Sequence, residues 1–192
     1  KVYKNTKVDA QMLKDADVDA VILAIGSSPI TIKLEGMDKL QHASAPEVLR
    51  HEVCPKGKVA VIGGGLVGLE TADTLATDGC DVTVLEMKDE IGSDLGSLRK
   101  IAVMMKLQQM QVKMLPNSKV CKFTEEGIVL EDETLVPCNC AVFAVGFASN
   151  DSHLLVEECE KRQIPCRVIG DAKSARRALD AIAEGFEAAR TL

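Results

Sequence analysis

No apolar run in this 192-residue chain approaches the roughly 20 residues that a membrane-spanning helix needs, and no signal-peptide pattern opens it. Basic clusters are missing too: 29 acidic residues against 23 scattered Lys and Arg give a net charge of −6. That balance argues against nucleic acid and against an anionic membrane surface as partners. CxxC is absent. The seven cysteines, Cys54, Cys80, Cys121, Cys138, Cys140, Cys159 and Cys166, form an odd set at irregular spacing, which argues against a disulfide framework and for reduced thiols. Cys138 and Cys140 share one side of a strand, but no second pair or nearby histidine completes a four-ligand site. His42, His51 and His153 lie far apart, so no metal is expected. Asp151-Ser152-His153 holds the letters of a triad, yet as sequence neighbours Asp151 or Ser152 fit better as the cap of the following helix. What these absences leave is a soluble globular chain, 46% hydrophobic, with material for one sizeable core or two small ones and the cytoplasm as its expected compartment.

One dense motif stands out. Lys58-Val-Ala-Val-Ile-Gly63-Gly64-Gly65-Leu66-Val67-Gly68-Leu69-Glu70 is followed by Asp81-Val-Thr-Val-Leu-Glu86. The five residues before Gly63 read as an apolar strand, and Leu66 to Thr77 as a helix with apolar Leu66, Leu69 and Ala76. Gly79 ends the helix, and a second strand follows. In such a turn Gly63 allows the bend, Gly65 lets the backbone approach a pyrophosphate, and Gly68 lets helix and strand pack closely. Leu66 and Val67, opening the helix, offer free N–H groups and partial positive charge to phosphates. Glu86 closes the second strand about 20 residues on, where a carboxylate reaches a ribose diol. NAD is therefore favoured over NADP, whose 2′-phosphate would face that charge; Lys88 partly offsets the preference. Two plainer readings stay open, a glycine-rich turn with no ligand and Glu86 as an ordinary strand-end acid. The agreement of strand, turn, helix, glycine stop, strand and terminal acid weighs against them.

Two other segments resemble each other. Asp19-Ala-Val-Ile-Leu-Ala-Ile-Gly26 and Cys140-Ala-Val-Phe-Ala-Val-Gly146 are both buried-type strands ending in glycine, which suggests two related α/β domains. Residues 1 to 18 offer a short extended start at Val2 and Tyr3 and a brief helix over Ala10 to Lys14, but no phosphate loop. Because the first residue is Lys1, the chain is expected to begin inside the first domain. Within the second, a helix spans about Asp94 to Met110, with Leu98, Ile101, Ala102 and Met105 on one stripe. Val112 to Leu115 reads as a third parallel strand. Lys119 to Phe123, Ile128 to Leu130 and Thr134 to Val136 read as an antiparallel meander with turns at Glu126-Gly127 and Asp132-Glu133. Beyond Gly146 come a helix over His153 to Arg162, a strand Arg167–Ile169, then Gly170-Asp171-Ala172. A last helix shows an apolar face of Leu179, Ile182, Ala183 and Phe186.

This series resembles the flavoprotein reductases in which a nicotinamide-nucleotide domain is inserted into an FAD domain. Asp171 with Arg176, Arg177, Asp180, Ala181, Ile182, Glu184 and Gly185 looks most similar to the C-terminal region of Old Yellow Enzyme-related iron–sulfur flavoproteins. Enoate reductase, 2,4-dienoyl-CoA reductase and trimethylamine dehydrogenase belong to that group. The resemblance implies a Rossmann-like α/β fold with a truncated FAD domain over residues 1–53 and 148–192. The inserted domain, a parallel sheet plus a three-stranded antiparallel meander, would cover 54–147. It also implies that Gly63, Gly65, Gly68 and Glu86 hold the nicotinamide nucleotide, with Glu70 near the nicotinamide end and Gly146 lining the same cleft. Gly26 and Gly170 would admit FAD closely, and Asp171 would accept a hydrogen bond from a ribityl hydroxyl. FMN, a [4Fe–4S] cluster and the barrel that carries them would belong to the N-terminal part of a longer parent. No catalytic residue is named, because hydride transfer needs stacking and distance more than an acid or base.

Two features depart from the group's pattern. Ala24-Ile25-Gly26 replaces the usual small-Thr-Gly, and the first FAD phosphate loop is missing, so Asp171 as a mere helix cap stays open. The expected function is thus an NADH-binding and partial FAD-binding piece of an NADH:flavin oxidoreductase whose parent reduces an enoate or enoyl-CoA. The alternatives are a disulfide-reductase-type flavoprotein and a non-catalytic NAD(H)-sensing module.

Overall fold

The computed structural model describes residues 1–192. In chain order, α1 (Ala10–Asp15) leads to the short strands β1 (Val21–Leu23) and β2 (Ser27–Pro29), and β3 (Gln41–Ser44) runs into α2 (Ala45–Leu49). The β-α-β unit follows as β4 (Lys58–Ile62), α3 (Leu66–Thr77) and β5 (Asp81–Leu85). Next come α4 (Ser97–Gln109), β6 (Lys113–Leu115), β7 (Val120–Thr124), β8 (Gly127–Leu130), β9 (Leu135–Pro137) and β10 (Cys140–Phe143). The chain ends through β11 (Phe147–Ser149), α5 (His153–Lys161), β12 (Cys166–Val168) and α6 (Ala178–Thr191). No helix is long and apolar enough to cross a membrane. Two compact units result, one of Pro29–Gly146 and one assembled from Lys1–Ser28 with Phe147–Leu192. β2 and β11 form a separate two-stranded sheet.

The unit Pro29–Gly146 is built on a parallel sheet in the order β3-β10-β4-β5-β6. Its strands read as unbroken apolar runs because both faces are covered. Val59 and Val61 of β4 join Val48 of α2, Leu69 and Leu75 of α3 and Leu107 of α4 in one buried cluster. Ala60 and Ile62, with the opposite parity, join Phe123, Ile128 and Val136 of the antiparallel sheet β7-β8-β9 in another. β10 repeats the division, with Cys140 and Val142 on the helical side and Ala141 and Phe143 on the other. The Phe123 and Phe143 rings meet edge to face at 6.0 Å. Pro137, which cannot donate to a ladder, stands on β9 at the edge of its sheet.

Two expectations need correcting here. Residues 29–53 belong to this unit, because β3 extends the parallel sheet by pairing Gln41 to Ser44 with Cys140 to Phe143. Ser44 also starts α2 with a capping box: the Ser44 N–H and hydroxyl both donate to Glu47 Oε2, at 2.7 and 2.6 Å. The second correction concerns α4, whose stripe Leu98, Ile101, Ala102 and Met105 faces solvent, Leu98 at 85% exposure. The sheet takes the adjacent stripe instead, with Leu107 buried and Val103, Met104 and Met110 packed against the core. Burial of that stripe sets the rotation, and exposed ion pairs from Arg99 to Glu70 (2.8 Å) and Lys106 to Asp73 (2.7 Å) on α3 accompany it.

The terminal unit holds the parallel pair β1-β12, flanked by α1, α5 and α6. The Arg162 guanidinium, following α5, donates to Leu13 O and, at 3.0 Å, to Ala16 O, satisfying carbonyls at the end of α1. Asp151 Oδ1 accepts from His153 N at 2.9 Å and so starts α5. Val2 and Tyr3, expected extended, are exposed and lie in no strand, having no partner strand to pair with. The α6 stripe Leu179, Ile182, Ala183 and Phe186 also points outward. The helix turns its small residues inward, with Ala188 buried and Gly170 so near Ala181 that a Cβ there would sit 3.2 Å from the Ala181 methyl.

Candidate functional site

Within the unit Pro29–Gly146 a cleft of about 550 Å³ opens beyond the carboxyl ends of β4, β5 and β10. Open parallel sheets bind ligands in that position, and the volume lies in the range of small-molecule sites. Gly63, Gly65, Leu66, Val67, Glu86 and Gly146 all line it, as does Lys88. Ile32 and Leu34, from a segment before the glycine motif, supply an apolar wall.

Steric limits, not flexibility, explain the glycines. Gly63 has φ +110°, and a Cβ there would stand 2.4 Å from Ala144 O. A Cβ on Gly68 would stand only 1.9 Å from Gly63 O. The first turn of α3 is thus in backbone contact with the loop that precedes it, with its N–H groups facing the cleft end of the helix.

The half-buried Glu86 carboxylate ties this loop to the end of β5: Oε2 accepts from Gly64 N at 2.7 Å and Oε1 from Lys88 N at 2.9 Å. Each oxygen has further acceptor capacity, so the group can also receive two hydroxyls from the cleft. Ser118 N donates to Glu86 O (2.7 Å) and Asn117 N to Lys88 O (2.8 Å), fixing the strand end. Lys119 also lines the cleft, its ammonium held by Glu131 at 2.7 Å.

Glu70, expected near the nicotinamide end, is not among the residues lining this cleft; the fifth residue of α3, it faces α4, where its Oε1 accepts from Arg99 Nη2 at 2.8 Å. Conversely, sequence spacing gave no sign of Asp94, which lines the cleft and accepts from Leu66 N with both oxygens, at 2.9 and 3.1 Å. Its location follows from tertiary contact: Gly92 N donates to Gly64 O at 2.7 Å and draws the following loop over the glycine turn.

Gly26, Gly170 and Asp171 lie in the terminal unit. Asp171 Oδ2 accepts from Ser27 Oγ at 3.1 Å and Oδ1 from Arg176 N at 3.2 Å. Glu184 organises this turn from α6. The Arg176 guanidinium (2.6 Å), then the Gly170 N–H (2.8 Å) and Lys173 (3.1 Å), hold its carboxyl far below the ordinary 4.5, at about 2. A depressed carboxyl pKa contributes stability above the unfolded value and loses it as pH falls toward the folded one. The turn is therefore expected to loosen between about pH 4.5 and 2, and Glu184→Gln to remove that part of the acid dependence; melting curves at neutral and acid pH check this.

The seven thiols are free. Burial pushes Cys138 and Cys140 up to about 11, and burial together with Cys159 does the same for Cys166. At neutral pH these three are protonated and weak nucleophiles.

The profile of the pyridine nucleotide-disulphide oxidoreductases matches residues 1–172. Bilirubin reductase of Mediterraneibacter gnavus is 36% identical over 191 residues, 96% of this chain and 29% of the relative. Cinnamate reductase of Clostridium sporogenes is 34% identical, over 98% of this chain and 29% of its own length. The solved structure of a 2-naphthoyl-CoA reductase in complex with 2-naphthoyl-CoA superposes with a TM-score of 0.86 at 24% identity, again over 98% of this chain and 29% of that one. The chain thus spans less than a third of the length of these proteins, and the fold is that of the two-dinucleotide-domain flavoprotein reductases. On the match of the family profile to nine-tenths of its length, the chain belongs to the pyridine nucleotide-disulphide oxidoreductase family.

Proposed function

We propose that the chain is the NADH-binding and partial FAD-binding portion of an NADH:flavin oxidoreductase. The carrying observation is the Glu86 carboxylate, tethered at the cleft by Gly64 and Lys88 N–H groups with acceptor capacity left for a ribose diol. Gly63 and Gly68 allow the compact turn on which the pyrophosphate rests, Gly65, Leu66 and Val67 present the α3 N-terminus, and Gly146 lines the far wall. In the terminal unit Gly26, where a Cβ would meet nothing within 4 Å, leaves room for FAD, Gly170 holds the neighbouring turn close against Ala181 of α6, and Asp171 is the acceptor for a flavin-chain hydroxyl, exchanging its bond from Ser27. When bound, the nicotinamide supplies a hydride and the flavin takes it up.

For the whole protein we further propose membership of the Old Yellow Enzyme-related group, with FMN and a [4Fe–4S] cluster in an N-terminal barrel, an enoate or enoyl-CoA as substrate, and a cytoplasmic location. The similarity to a cinnamate reductase, by its name an enzyme of an unsaturated carboxylate, supports the substrate class. Parallel calorimetric titrations with NADH, NADPH and FAD test the reading. NADH is expected to bind about tenfold tighter than NADPH, the 1.4 kcal/mol of one decade being what a 2′-phosphate loses beside one carboxylate. Equal or tighter binding of NADPH, or no binding of NADH at millimolar concentration, would sink it.

A further inference from the structure

Two backbone N–H groups at the glycine turn are already taken by carboxylates of the chain itself. Gly64 N donates to Glu86, at the base of the loop, and Leu66 N, the first of α3, donates to both oxygens of Asp94. The two acids differ in kind. Glu86 is half-buried and bound at both oxygens to the backbone on which it ends. Asp94 is exposed, reaches across from the loop after Ile91, and stands where the positive end of the helix dipole meets the cleft. A Cβ on Gly65 would lie 3.1 Å from Asp94 Oδ2, so the carboxylate occupies the space directly over the residue that lets a phosphate approach.

We infer that Asp94 is an internal anion that closes the pyrophosphate seat of the free protein and must swing away when a nucleotide enters. The inference rests on the reading of the cleft as a nucleotide site and adds the control of that site. A single carboxylate gains less from the helix N-terminus than a pyrophosphate with several oxygens and more charge, so displacement is favourable, but each binding event first breaks the contact to Leu66 N. Asp94 therefore weakens affinity, and it does so only for ligands that carry phosphate. It also keeps the α3 N–H satisfied, and α3 capped, between binding events.

The test titrates the wild-type chain, Asp94→Asn and Asp94→Ser with inorganic pyrophosphate, NADH and adenosine. Asparagine keeps a δ-position oxygen that can accept from Leu66 N, so the cap survives the loss of charge, whereas the shorter serine removes charge and contact together; thermal melts verify that both variants fold. Pyrophosphate is expected to bind both variants about fivefold or more tighter than the wild type, with adenosine unchanged. Pyrophosphate affinity in the variants equal to or weaker than wild type overturns the inference, whatever NADH does. A gain for pyrophosphate with no NADH binding to any of the three proteins upholds the competition and overturns the nicotinamide reading instead.

Discussion

Glu86→Ala is expected to lower NADH affinity about 100-fold while lowering NADPH affinity much less, so that the preference between them collapses. Two effects combine. A hydrogen bond to a charged group contributes about 1.5–3 kcal/mol, so losing the carboxylate from a ribose diol accounts for most of the 2.8 kcal/mol that two decades require. The same truncation frees Gly64 N and Lys88 N, bonded to Glu86 at 2.7 and 2.9 Å, and so loosens the phosphate turn for any nucleotide. NADPH suffers only the second effect, and gains from the removal of a charge opposite its 2′-phosphate, with Lys88 and Lys119 already on the cleft wall. Glu86→Gln separates the two effects, since it retains one acceptor oxygen for the turn. Titrations of both variants with both nucleotides check this; NADH affinity within twofold of wild type in Glu86→Ala would leave the acid as a plain strand-end residue.

Gly68→Ala is expected to destabilise the chain by about 2 kcal/mol or more and to weaken NADH binding beyond tenfold. Inside a helix the exchange of glycine for alanine ordinarily gains up to about 1 kcal/mol. Here the added methyl would stand 1.9 Å from Gly63 O, a backbone atom of the turn itself, and overpacking at such a contact costs about 1–3 kcal/mol or more. Relief requires α3 to move off the loop, which separates the helix N-terminus from the pyrophosphate seat. Gly185→Ala in α6 provides the contrasting sign. Its nearest neighbour would be Ile169 Cδ1 at 3.8 Å, an ordinary contact, so helix propensity acts alone and stability rises slightly. Urea melts of the two variants measure the difference, and a Gly68→Ala protein as stable as wild type would contradict the close packing of turn and helix.

The contrast between these glycines shows which features were legible without coordinates. The strand, turn and helix from Lys58 to Thr77 are written locally, in apolar runs, helical period and glycine spacing, and so were readable residue by residue. So were the meander strands, bracketed by turn residues such as Gly127 and by Glu133 with φ +68°. What local pattern cannot carry is the choice between neighbouring stripes of one helix. In α4 both Leu98-Ile101-Met105 and Val103-Met104-Leu107 have helical period, and tertiary packing against the sheet and α3 takes the second. In α6 the large residues Leu179, Ile182 and Phe186 suggested the inner face, but close approach to the Gly170 turn admits only small ones. The boundary near Ser28 was missed because β3, Gln41–Ser44, is too polar to read as a strand of a buried sheet; its pairing with β10 is tertiary. Asp94 was missed for the same reason, since Gly92 brings it over the glycine turn through a single backbone hydrogen bond to Gly64. The expectation for Glu70 came from the family resemblance, and its pairing with Arg99 of α4 is a tertiary contact that local pattern does not carry.

A crystal structure of the chain grown with NADH examines the nucleotide cleft most directly. The expected density has adenosine-ribose hydroxyls within hydrogen-bond distance of Glu86 and the pyrophosphate on Leu66 N with Asp94 turned away. Well-ordered NADH anywhere outside the walls of Gly63, Leu66, Glu86 and Gly146, or inside them with its ribose away from Glu86, would contradict the reading.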